Sequence, residues 1–210
     1  MRIRPIAPDL LVSELADRIA GDRPDCRLRV AVDGPPVADP RRLADSLVDP
    51  LRARGRSAVH IQADDFLRPA SLRYEQGRTN PDSYYLGWLD EAAVRRELLD
   101  PAGPGGSGRI LPSLWDATTD RASRAAYQTL PERAVVLLSG AFLLGGSLPF
   151  DLVVHLDVSA AALRRRLPAD LRWTLPAFER YTTEVDPVRL ADVAVRLDDP
   201  RRPAVIDDPG

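Results

Sequence analysis

Hydrophobic positions follow two rhythms along this chain. In residues 9–20, Leu11, Leu15 and Ile19 recur every fourth position and predict a helix closed by Gly21. Leu28, Val30 and Val32 alternate with other residues and predict a strand, broken by Asp33-Gly34. A second helix is expected from Asp39, with Leu43, Leu47 and Leu51 on one face, and Pro50 is expected to kink it or end it early. Residues 57–63 (SAVHIQA), 134–138 (AVVLL), 152–156 (LVVHL) and 192–197 (DVAVRL) read as further strands. Residues 90–99, 159–167 and 177–185 read as helices. Three stretches break these rhythms. Residues 67–88 are polar and aromatic, 101–108 (PAGPGGSG) form a flexible connection, and 109–130 suggest a small hairpin or flap. The Pro-rich, charged tail after Asp198 reads as a frayed end.

Strands alternating with helices predict a three-layer α/β fold around a mainly parallel sheet. At 210 residues this is expected to be one domain, with 67–130 as a substrate-side insertion and flap and 167–176 as a shortened lid. Hydrophobic residues at 44% and charged residues at 29% are ordinary for a globular chain. A net charge of −2 argues against broad binding to nucleic acid or anionic membranes. Cys26 stands alone, so no internal disulfide is expected and a reducing cytoplasm fits. The opening MRIRPIAPDL lacks the apolar core of a signal peptide, and no apolar run reaches membrane-spanning length. Self-association is left open. All 29 basic residues are arginine, so no lysine from elsewhere in the chain can serve as a phosphate ligand.

That absence bears on residues 28–44. Strand, glycine turn and helix form the frame of a phosphate-binding loop, whose usual pattern is Gly-x4-Gly-Lys-Ser/Thr. Counting from Gly34, the second glycine is Asp39, the lysine is Pro40 and the hydroxyl residue is Arg41. Asp39 brings a negative charge, Pro40 has no N–H, and Arg41 has no hydroxyl for Mg2+. Asp39-Pro40 is instead a strong helix start. Losing about three charge-assisted contacts amounts to roughly 4–9 kcal/mol, or about three to six decades of ATP affinity. Two readings stand: a working loop with substituted residues, or a retained frame without its phosphate grip.

Asp64 and Asp65 follow the second strand, at the end where open parallel sheets bind ligands. They read either as base and sugar contact or as a solvated turn. Tyr74, Tyr84, Tyr85 and Trp88 read either as packing or as a substrate wall. His60 and His155 lie within strands and read as structural. Arg164, Arg165 and Arg166 suit phosphate, but three on one short helix cannot all face one site. No metal site is expected from the residues alone.

In order and spacing, VAVDG, ADDFLRP, RTNPDSYY, LWDATTDR, VVLLSG and LADVAV resemble the uridine kinase family of P-loop nucleoside kinases, over residues 27–197. The resemblance implies a P-loop NTPase-like fold and a nucleoside-like ligand, with ATP and Mg2+ as cofactors if activity is retained. It implies Asp64 as general base on a sugar hydroxyl, with Asp65, Phe66, Leu67, Tyr84 and Tyr85 at the nucleoside pocket. Asp116 and Arg121 resemble contacts to base and sugar. Gly34, Arg41, Arg42 and Arg164 to Arg166 would be the phosphate-side residues. Thr79 and Ser139 stand where the family usually carries acidic residues. Three functions follow as alternatives: a binder with transfer weakened or lost, an active kinase with arginines in place of the lysine, or a partner-binding protein with a closed pocket.

Overall fold

The computed structural model describes residues 2–207. Its strands are β1 (Arg2–Pro5), β2 (Leu28–Asp33), β3 (Ala58–Gln62), β4 (Val135–Gly140), β5 (Leu152–Asp157), β6 (Val193–Arg196) and β7 (Ala204–Asp207). They form one sheet in the order β1-β7-β6-β5-β2-β4-β3. The five strands from β6 to β3 run parallel, and β7 pairs antiparallel with both β6 and β1. The fold is thus the α/β layering expected from the sequence, with a mainly parallel sheet.

Both faces of the sheet are covered, and the strand pattern accounts for this. Leu28, Val30 and Val32 of β2 point to one face, against Leu15 and Ile19 of helix α1 (Pro8–Gly21) and Leu47 and Leu51 of helix α2 (Pro40–Ala53). Ala31, Val136 and Leu138 point to the other face, against Val94, Leu98 and Tyr181. A strand buried on both faces reads as a nearly continuous apolar run, as VVLL does in β4. Helix α3 (Pro81–Gly87), helix α4 (Ala160–Arg166) and helix α5 (Leu175–Val185) complete the layers.

Three expectations are corrected. The tail is not frayed up to residue 207: β7 buries Val205 and Ile206 between two strands. Helix α2 runs through Pro50 to Ala53, because a proline in the last turn removes a single backbone bond. The polar-aromatic segment is not an irregular loop throughout, since Asn80 caps α3 by accepting from the Ser83 N–H at 2.8 Å. In the flap, residues 115–116 pair with 121–122 and residues 109–110 with 128–129.

Candidate active site

The carboxyl ends of β2, β3 and β4 open into a cavity of about 430 Å3. Its two halves are built differently. On one side lies the β2–α2 turn, where Gly34 packs so tightly on β5 that an added Cβ would lie 2.8 Å from Leu156 Cβ. Close packing alone therefore requires glycine at this position.

Several backbone donors of this turn are engaged or absent, while no partner is seen among the described residues for the Val37 and Arg41 N–H groups. Pro35, Pro36 and Pro40 have no N–H. The Gly34 N–H donates to Gly140 O at 3.0 Å, Ala38 to Pro35 O at 2.8 Å, and Asp39 to Pro36 O at 3.0 Å. Asp39 sits in the left-handed region (φ 55°), and its carboxylate accepts from the Arg42 N–H at 3.1 Å. An anionic cap thus already holds the helix end that would otherwise face a phosphate.

The expected phosphate-side arginines separate. Arg41 lines the cavity, with Asp45 3.8 Å away, whereas exposed Arg42 does not line it. Arg164 pairs with Glu179 at 2.6 Å on the surface, and Arg165 is exposed. Arg166 turns inward and donates to Val37 O and to Leu197 O, so it clamps the turn itself. Ser139 is buried, 2.7 Å from His60 Nε2, while His60 Nδ1 lies 2.6 Å from Asp45. Among the described residues, no group of three or more His, Cys, Asp or Glu is placed to hold a metal ion. Asp39, Pro40 and Arg41 thus stand where a phosphate loop carries a glycine, an ammonium and a hydroxyl for Mg2+-triphosphate.

The other half of the cavity is open. Asp64 lies on its wall, in the tight turn Ala63–Phe66 that follows β3. Desolvation, helped by nearby Asp65, pushes its pKa up, while Arg73 and Arg41 oppose the shift. A carboxylate with a raised pKa is a better proton acceptor for a hydroxyl. Asp65 does not line the cavity: it accepts from the Gln62 N–H at 3.3 Å, and burial raises its pKa. Phe66 is fully buried in the core.

Facing Asp64 is a group of aromatic rings. Tyr84 lies 4.9 Å from Trp88, 5.3 Å from Phe142 and 5.5 Å from Trp173, edge to face in each pair. Tyr85 lies 5.1 Å from Phe142. Burial and the Asp64 charge push the Tyr84 hydroxyl pKa well up, so it stays neutral. Trp88 Nε1 is buried without a hydrogen-bond partner among the described residues, and Trp88 lines the cavity. Trp173 comes from the link 167–176, which brings Leu167, Leu171 and Thr174 to the same wall.

Asp116 and Arg121 stay on the flap, outside the cavity. They face each other across its ladder, and Asp116 accepts from Thr119 Oγ1 at 2.7 Å. Of the residues singled out in the sequence, the structure thus gathers Gly34, Asp39, Pro40, Arg41, Asp64, Tyr84, Tyr85 and Trp88 around one space. Sequence reasoning missed Phe142 and Trp173, although a tryptophan between Pro168 and Pro176 was an available signal. It also missed Asp33, which ends β2 fully buried and accepts from the Leu143 N–H at 2.9 Å and Tyr181 OH at 3.0 Å.

No protein-family model matches the chain, and neither does any curated protein. Solved structures do match. A possible uridine kinase from Bacillus stearothermophilus superposes with a TM-score of 0.71 at 22% identity, covering 87% of this chain and 96% of its own. A protein provisionally assigned as a fructose transport system kinase from a Silicibacter species gives 0.57 at 21% identity, covering 86% and 94%. D-glycerate 3-kinase from Cryptococcus neoformans gives 0.50 at 15% identity, covering 83% and 80%. At these identities the likeness shows the fold. The chain has the architecture of P-loop kinases, as its resemblance to the uridine kinase family implied.

Proposed function

We propose that this protein binds a nucleoside-like metabolite in the cavity at Asp64, with ATP-dependent phosphoryl transfer weakened or lost. The observation that carries this reading is the state of the β2–α2 turn: prolines remove three of its donors, and Asp39 holds the helix end with a carboxylate. Beside it, the acceptor half keeps a carboxylate of raised pKa opposite a wall of rings. The rings suit a planar heterocycle, and Asp64 suits a sugar hydroxyl.

One observation favours a second reading, an active kinase of a nucleoside or similar alcohol. Arg41 lines the cavity and is a permanent planar cation suited to phosphate. Thermal shift separates the two readings. The proposal expects a rise in melting temperature with one or more members of a nucleoside panel and none with ATP–Mg2+. A rise with ATP–Mg2+ that disappears in Arg41→Ala supports the kinase, and no rise with either favours the partner-binding alternative.

A further inference from the structure

A second cavity of about 300 Å3 lies behind the first, between the end of β5, the Gly34-Pro35 turn and α5. The two cavities share only Gly34 and Phe142 among their lining residues. The second is lined by His155, which is 4% exposed and belongs to no part of the site described above. His155 Nδ1 lies 2.7 Å from Asp33 Oδ2. That carboxylate also accepts from Tyr181 OH and the Leu143 N–H. In the neutral imidazole this network places the proton on Nδ1 and the lone pair on Nε2. Among the described residues Nε2 has no hydrogen-bond partner, and it is not sealed from solvent.

The walls restrict what could meet that lone pair. Phe142, Phe178, Val158 and Leu163 form an apolar body for the cavity. Its charged residues are the carboxylates Asp157 and Glu179, paired at the margin with Arg196 and Arg164. In a chain with 29 arginines, no described arginine lines this space. An anion finds no cation here, and a ligand that only accepts hydrogen bonds leaves Nε2 unmatched. We propose that the second cavity binds a small organic amine with an apolar body, its N–H donating to His155 Nε2. The site is distinct from the cavity at Asp64 and does not depend on what that cavity takes.

His60 and His155 are the only histidines, so long-range 1H–15N spectra of the labelled protein contain two imidazoles. Phenethylamine serves as the probe and phenylacetate as its anionic counterpart. The expected result is a saturable shift of the His155 nitrogens by the amine, a still His60, and no response to phenylacetate. His155→Phe should abolish binding. Thr182→Trp fills the rim from an exposed helix position without touching the Asp33–His155 pair. It should weaken binding at least about tenfold while the His155 signals keep their Nδ1–H pattern. No saturable shift, an equal response to phenylacetate, or unchanged affinity in Thr182→Trp would overturn the proposal.

Discussion

The β2–α2 turn and the β3 turn lie at the same end of the same sheet, a short distance apart, and their chemistry has diverged. The first keeps the path of a phosphate loop but closes on itself: Asp39 caps α2, and Arg166 grips Val37 O from outside. The second stays open, with Asp64 on a cavity wall and its pKa raised. A backbone frame can therefore persist where prolines have removed part of its donors, because Gly34 is held by packing on Leu156 whether or not phosphate binds. What a P-loop kinase fold can bind depends on which N–H groups remain free, which the strand order does not reveal.

This contrast can be broken by rebuilding the closed side. The triple change Asp39→Gly, Pro40→Lys, Arg41→Thr restores a flexible residue, an ammonium and a hydroxyl. ATP–Mg2+ affinity should rise by about a thousandfold, measured by calorimetry. A smaller gain would locate the defect in Pro35 and Pro36 as well.

The open side depends on its rings. Tyr84→Ala removes the ring at the centre of the aromatic group and should destabilise the fold by about 3–5 kcal/mol, read by urea denaturation. The same variant should lose the nucleoside-induced thermal shift.

Asp64→Asn sharpens the comparison by changing charge with little change of shape. Ligand affinity should fall about 10–100-fold, while stability at neutral pH rises slightly. The sign follows from linkage. A folded pKa above the unfolded value means that ionised Asp64 opposes folding, most fully above the folded pKa. The stability gap between variant and wild type should narrow as pH falls through that range, measured by melting temperature against pH. A gap that widens toward acid would reverse the assignment.

The smallest effect belongs to the cap. Asp39→Ala should cost about 1 kcal/mol of stability through the lost bond to the Arg42 N–H. It should not create ATP binding.

Much of this was legible in the chain because the determining patterns are local. VAVDG and AVVLL announce buried strands by alternation and by apolar runs, and Asp64 is marked by its place after a strand. What escaped is non-local. β1 and β7 are four residues each and form by pairing Arg2–Pro5 with Ala204–Asp207 across the whole chain. His155 meets Asp33 across 122 positions, and neither residue carries a motif that names the other. Trp173 and Phe142 reach the Asp64 cavity from separate segments, which a linear reading treats apart. The arginine cluster is a related case. Three arginines on one short helix cannot all face one site, and only the structure shows which turns where: Arg164 to Glu179 and Arg166 to backbone carbonyls.

Titration of the wild-type protein with ATP–Mg2+ by isothermal calorimetry tests the central claim most directly. The account predicts no saturable heat up to about 1 mM nucleotide, in a preparation that still responds to a nucleoside by thermal shift. A dissociation constant near or below about 10 µM, lost in Arg41→Ala, would contradict it.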